Sequence, residues 1–182
     1  ESFEISFPLI VTEPDFRDPE LVVAFLKQLK NQLEYIDVSD CDMEKGNLRV
    51  DLNVSVMKKG SETFGIRREV KNLNSFKSVD RAIRYEVEEQ IRMIKSGEII
   101  RQSTLIWDEN KSKTKVIRLK EDANDYRYFP EPDLPPLNLS DEMIDKISSN
   151  MPELPRQKFK RFQSRYKVNS DDLNFLISSK GI

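Results

Sequence analysis

Residues 48–56 read LRVDLNVSV, a run in which apolar and polar side chains alternate without a break. Successive side chains of an extended chain point to opposite faces, so Leu48, Val50, Leu52, Val54 and Val56 share one face and Arg49, Asp51, Asn53 and Ser55 the other. A helix of the same sequence would scatter both sets around its circumference. The run predicts a half-buried strand, which obliges the fold to supply a core on one side of it and water or a ligand on the other. FGIRREVKN repeats the pattern, with Ile66 and Val70 on one side and Arg67, Glu69 and Lys71 on the other. The intervening KKGSE makes a hairpin the shortest connection.

Elements of a different period surround this pair. PLIVT (8–12) reads as a short buried strand closed by EPDFRDPE. Asp18, Pro19 and Glu20 then supply a cap, a first-turn proline and a dipole-favourable acid for a helix over 19–36, whose apolar residues Leu21, Val22, Phe25, Leu26, Leu29, Leu33 and Ile36 recur at helical spacing. Asn74 or Ser75 caps a second helix, with a stripe of Phe76, Val79, Ile83, Val87, Ile91 and Ile94 that ends at Gly97, and charged pairs such as Arg84 with Glu88 on its solvated side. EIIRQSTLIW and KTKVIRL flank DENKSK as a second hairpin.

NDYRYFPEPDLPP (124–136) follows and holds four of the nine prolines, each of which drives the residue before it away from helical geometry. This is a stiff extended strap, readable as a linker, as a ligand for a proline-binding domain, or as a clamp pinned through Asp125, Arg127, Glu131 and Asp133. LSDEMIDKI starts a third helix, MPELP interrupts it, and RQKFKRFQSRYK continues helical. The expected class is α+β: an antiparallel sheet with packed helices over residues 1–139, followed over 140–182 by the start of a small helical domain.

Composition narrows the chemistry. The chain has no histidine, which removes the commonest general base and the commonest zinc ligand and leaves carboxylates, Lys and Arg. A net charge of −2 argues against whole-surface attraction to nucleic acid. Local basic stretches remain, chiefly 156–167 with six basic residues and no acid, although Phe159, Phe162 and Tyr166 within it read first as the buried face of an amphipathic helix. Trp107 and Phe129 read as core. The single cysteine, Cys41, reads as a loop residue and fits a reducing compartment. No apolar run approaches a membrane span, and the five glycines form no phosphate-cradling loop.

If the two alternating strands are neighbours, Arg49, Asp51 and Asn53 lie beside Arg67, Glu69 and Lys71. Mg²⁺ takes hard oxygen ligands and often only one or two carboxylates beside phosphate oxygens, so Asp51 and Glu69 suit a metal completed by a nucleotide, with Lys71 and Arg49 meeting phosphates. An alternating strand also predicts this face by itself, through cross-strand ion pairs that keep it soluble, and on the pattern alone that is the plainer account.

VTEPDFRDPE, DMEKGNLRVDLNVSV, FGIRREVKNLNSF and DYRYFPEPDLPPL, taken together and in order, resemble the B subunit of the tRNA-dependent amidotransferases from about residue 8 to 180. The resemblance implies a cradle-like α+β domain followed by a helical domain and a tail domain. It implies use of ATP and Mg²⁺ to phosphorylate the side-chain carboxylate of Glu-tRNA(Gln) or Asp-tRNA(Asn), ammonia from a glutaminase A subunit then displacing phosphate. A small third subunit completes the family's heterotrimer. Carried over by motif, Asp51, Glu69 and Lys71 are the implied catalytic residues, Asp51 and Glu69 the implied metal ligands, and Arg49, Asn53, Lys71 and Asn72 the implied nucleotide contacts. A non-catalytic RNA- or protein-binding module on the same scaffold is the alternative.

Two departures bear on this. The family carries a Gly-Leu-Glu-x-His metal motif in a front portion, and a tail domain behind, so this chain is expected to be a fragment of a longer protein. The family also reads PLIEIVTEPD where this chain has PLIVTEPD, one carboxylate short. Val50 in RVD, where bacterial members often have Cys, tilts the expected location toward the mitochondrial matrix over the bacterial cytoplasm.

Overall fold

A computed structural model describes residues 9–119 and 138–180. The strap at 124–136, with Phe129 and its charged residues, lies outside them.

Helix α1 (Pro19–Tyr35) begins as its sequence requires, with the Asp18 side chain accepting from the Glu20 amide at 2.7 Å and Pro19 in the first turn. Strands β1 (Val50–Val54) and β2 (Arg68–Leu73) pair antiparallel. Helix α2 (Phe76–Ser96) is capped by Ser75, whose hydroxyl accepts from the Ser78 amide, and closed by Gly97 in the left-handed conformation at φ 76°. Strands β3 (Ser103–Asp108) and β4 (Lys113–Leu119) form the second hairpin. Helices α3 (Asp141–Asn150), α4 (Pro155–Tyr166) and α5 (Ser170–Leu176) follow.

The four strands lie in the order β1-β2-β3-β4, and the sheet is mixed, not antiparallel as expected, because β2 and β3 run parallel. The cause is α2: a strand that leaves through a 21-residue helix is carried back to the end it started from, whereas a tight turn reverses it. The class remains α+β. Helix α2 packs on one sheet face, and Val70, Leu73, Leu105 and Trp107 meet Val79 and Ala82 there, with Leu26 of α1 behind. Glu109, in the β3–β4 turn, ties the sheet to the start of α2, accepting from Trp107 Nε1 at 2.6 Å, Ser78 Oγ at 2.8 Å and Arg81 at 2.9 Å.

Several local expectations need correction. Residues 9–12 form no strand, and Leu9, Ile10 and Val11 are exposed, since no neighbouring strand in the described residues pairs with them. Ile66 is exposed and stands before β2, and Arg68 takes the inward place because an acid waits for it below the sheet. The inner line of α2 is Val79, Ala82, Glu86 and Gln90, while Ile91 and Ile94 are exposed. Arg84 pairs with Asp80 one turn earlier and with Glu20 of α1, not with Glu88. On α4, Phe159 and Phe162 are half-buried but Tyr166 is exposed. Cys41 is in a loop as expected, yet buried, and Trp107 is in the core. Helix α5, which had no counterpart in the sequence reading, secures the end of α1: Asn31 and the Tyr35 hydroxyl donate to the carbonyl of Ile177 at 3.0 and 3.1 Å.

Candidate functional site

The sheet face away from α2 collects the polar residues of the alternating strands. Pairing register sets them in rows: Asn53, Glu69, Thr104 and Arg118 form one, and Lys71, Ile106 and Lys115 the next. Between Val50 and Leu52 the pairing slips, so that Lys71 and Asn72 together oppose the single residue Asp51. This is a β-bulge, a device that bends the strand and re-aims side chains. Asn72 takes its left-handed position at φ 66°, and its amide donates to the Trp107 carbonyl at 3.0 Å, which pins the bulge to β3.

The bulge brings Lys71 between two carboxylates. Its ammonium bonds to Asp51 Oδ2 and lies 3.1 Å from Glu69 Oε1, while Glu69 Oε2 accepts from the Thr104 hydroxyl at 3.0 Å. The bond to Asp51, and after it the one to Glu69, holds the Lys71 ammonium above its ordinary range. Asn53 is the register neighbour of Glu69 and is exposed. Arg49 and Arg67 stand one residue before their strands, both exposed. The structure therefore brings Asp51, Asn53, Glu69 and Lys71 together, commits Asn72 to the backbone, and leaves Arg49 at the strand end. Thr104 was missed by the sequence reading. Its signal was its place in STLIW, one residue out of phase with the buried Leu105 and Trp107.

A second charged group, also unanticipated, lies directly beneath. Arg68 on β2 is bound by Glu86 of α2 at 2.6 Å and donates from Nε to the Ser103 hydroxyl on β3 at 3.2 Å. Burial pushes the Glu86 carboxyl above its ordinary range, against the opposing pull of Arg68. One turn on, Gln90 donates to the Val54 carbonyl at 3.0 Å and accepts from the Val56 amide at 3.1 Å, so its side-chain amide serves the end of β1 as a further strand would. Arg68 and Ser103 are the rung next to Glu69 and Thr104. The buried clamp thus ties β2, which carries Glu69 and Lys71, to β3, while Gln90 holds the end of β1 beside them.

As a donor set, the open face offers carboxylate oxygens of Asp51 and Glu69 and the Asn53 amide oxygen, all hard oxygens, with the buried Thr104 hydroxyl behind Glu69. No group of three or more His, Cys, Asp or Glu positioned to hold a metal exists among the described residues. The set fits a cation that draws most of its shell from water and phosphate, as Mg²⁺ does, and not a cage for Ca²⁺ or Zn²⁺. An open cleft of about 600 Å³ elsewhere, bounded by Lys30, Asp40, Cys41, Asp42 and Phe76 among others, has two of its acids engaged in shaping the loop: Asp42 accepts from the Glu44 amide at 2.9 Å and Asp40 from Asn47 at 2.7 Å.

The GatB/GatE catalytic-domain family matches residues 5–145. The B subunit of the aspartyl/glutamyl-tRNA(Asn/Gln) amidotransferase of Caldicellulosiruptor saccharolyticus is 52% identical over 173 residues, covering 95% of this chain and 36% of that protein. For the B subunit of the same name in the Wolbachia species of Brugia malayi the identity is again 52% over 173 residues, with coverage of 95% and 36%. A corresponding B subunit of Clostridium acetobutylicum is 50% identical over 167 residues, 92% of this chain and 35% of that one. The chain spans about a third of the length of these curated relatives. A family match across most of the chain, with half of all residues identical, means that this chain belongs to the GatB/GatE catalytic-domain family.

Proposed function

We propose that this chain is the part of a tRNA-dependent amidotransferase that activates a carboxylate, carried on its B subunit. ATP and Mg²⁺ serve to phosphorylate the side chain of a Glu or Asp esterified to tRNA, and ammonia derived from glutamine then displaces the phosphate. The observation that carries the reading is the pairing of family membership with the open-face cluster: Lys71, set by a bulge between Asp51 and Glu69, is an arrangement that a solvated strand does not need.

Phosphoryl transfer to a carboxylate asks for alignment and charge neutralisation and needs no strong base, which suits a site without histidine. A bound Mg²⁺ would supply neutralisation of the phosphate charge. Asp51 and Glu69 are the residues that would hold it, with Asn53 beside them. Lys71 has three donors and two acid partners, so it can turn one N–H toward a phosphate oxygen while remaining anchored to Glu69. Thr104 keeps Glu69 oriented through the 3.0 Å bond. The reading implies a glutaminase A subunit and a small third subunit as partners. Among the described residues no helix is long and apolar enough to cross a membrane. The relatives named above are bacterial, which supports a bacterial cytoplasm; the mitochondrial matrix keeps the support of Val50 alone.

The test is ATP hydrolysis by the full-length protein reconstituted with its glutaminase partner. Stimulation by Glu-tRNA(Gln) or Asp-tRNA(Asn), and not by the correctly acylated tRNA, is expected. Tight tRNA binding with no ATP turnover would leave the non-catalytic scaffold as the better account.

A further inference from the structure

Among the described residues strand β4 is an edge of the sheet, and its open-face positions are all cationic: Lys113, Lys115 and Arg118. They do not follow simple alternation. Lys113 and Lys115 are two apart, but Arg118 is three beyond Lys115, and on a regular strand it would point the other way. A second bulge restores it. The pairing runs from Leu105 with Val116 to Thr104 with Arg118, so Ile117 is the extra residue and Arg118 returns to the row of Glu69. All three cations are exposed, and among the described residues none is in an ion pair. Asp108 faces Lys113 across the strands, but its ion contact, at 4.0 Å, is with Lys111.

We propose that the open face of β4 is a rail for an RNA phosphate backbone, in which Lys113, Lys115 and Arg118 hold successive phosphates and direct the strand across the sheet toward Asp51, Glu69 and Lys71. That the RNA is a tRNA rests on the amidotransferase reading; that the rail binds RNA does not. The geometry fits a polyanion in three ways. From Lys113 to Arg118 the row extends about 15 Å, longer than the triphosphate of one nucleotide. Two strand spacings, about 10 Å, separate it from the Lys71 cluster on β2, so a backbone lying on β4 can present a terminal group at the cluster. The charge is also local, in a chain whose net charge of −2 gives no general attraction to nucleic acid. Lysines commonly guard edge strands against pairing, but that purpose is served on either face and needs no bulge to bring Arg118 round.

The test uses the full-length protein with K113Q/K115Q/R118Q, an unacylated tRNA transcript as probe, and a salt series from about 50 to 200 mM. Each phosphate contact contributes about 0.7–0.9 to the slope of log affinity against log salt. The triple variant is expected to lose about 2 to 3 from that slope and at least about tenfold in affinity, with Mg-ATP binding and the thermal midpoint unchanged. R118Q alone should lose about one third of the effect and R118K nearly none. Unchanged tRNA affinity and slope would overturn the proposal and leave the cations as guards of the edge. Weakened Mg-ATP binding with intact tRNA binding would also overturn it, assigning the row to the nucleotide. If the wild type shows no tRNA-stimulated ATP hydrolysis the amidotransferase reading fails, and a loss of slope in the variant would still support the rail.

Discussion

On the α2 side of the sheet a carboxylate and a guanidinium meet at 2.6 Å with almost no access to water, whereas on the open side two carboxylates share an ammonium whose side chain is 41% exposed. Glu86 and Arg68 cannot exchange partners without leaving a buried charge, and Glu86 Oε2 makes no hydrogen bond within distance and angle limits among the described residues. Lys71, Asp51 and Glu69 can exchange theirs for water, a metal or phosphate at little cost. The first group is therefore committed to the fold and the second is available for chemistry, although Arg68 and Glu69 are successive residues of β2 that face opposite sides of the sheet.

The largest effect separates these roles directly. Glu86→Ala strands Arg68 in the core and should cost about 3–5 kcal/mol in denaturant unfolding. Replacing both partners, Arg68→Met with Glu86→Leu, should recover most or all of that loss, because a buried pair contributes little beyond its mutual compensation. A double variant as unstable as Glu86→Ala would mean that Arg68 is needed for its bond to Ser103 and not only for Glu86.

On the open face the pattern inverts. Asp51→Asn and Glu69→Gln should each slow tRNA-dependent ATP hydrolysis by at least about a hundredfold, about 2.7 kcal/mol in barrier, while shifting stability by less than about 1 kcal/mol. Lys71→Met should raise the ATP requirement as well as slow the step. Near-normal turnover by both carboxamide variants at saturating Mg²⁺ and ATP would reduce the cluster to surface ion pairs.

The sequence disclosed the open face and concealed the buried one, for a physical reason. Alternation in LRVDLNVSV separates two faces, and since polar residues are expected on the wet side, Asp51, Asn53, Glu69 and Lys71 could be placed there directly. Caps at Asp18, Ser75 and Gly97 are local chemistry and were equally legible. Arg68, Glu86 and Gln90 were hidden because a charged or amide side chain on an amphipathic helix counts by default as solvated; only a partner across the fold reverses that, and periodicity carries no partners. Ala82, Glu86 and Gln90 do repeat every four residues, a line that reads as inner once Ala82 is taken as the close-packing point. Strand direction was lost similarly, since the pattern of β3 is the same whichever way it runs beside β2. The bulge at Lys71 and Asn72 leaves no mark in hydrophobicity.

A smaller effect probes how the buried side supports the open one. Gln90→Leu keeps the volume but removes both bonds to β1, leaving the Val54 carbonyl and the Val56 amide without that partner, and should cost about 1–3 kcal/mol. Because Val54 is the end of β1 remote from Asp51, turnover by the folded fraction should change less than for Asp51→Asn. A loss of turnover equal to that of the carboxamide variants, at unchanged stability, would instead make the end of β1 part of the site.

The smallest effect is in pH dependence, where the two faces should separate by window. Glu86 has its carboxyl raised by burial, so the native state takes up its proton more readily than the unfolded chain; the stability this gives is present at pH values below the ordinary 4.5 and is lost as pH rises from there through the native value. Lys71 is raised by Asp51 and Glu69, so its contribution is complete below the ordinary 10.5 and is lost only as pH climbs through its higher native value. Urea midpoints measured from pH 4.5 to 9 should therefore show wild type losing stability relative to Glu86→Gln as pH rises, while the difference between wild type and Lys71→Met stays level from pH 6 to 9. If wild type instead gains on Glu86→Gln as pH rises, Arg68 outweighs burial, and the clamp beneath the sheet is an ion pair that the fold gains from and not merely one that it tolerates.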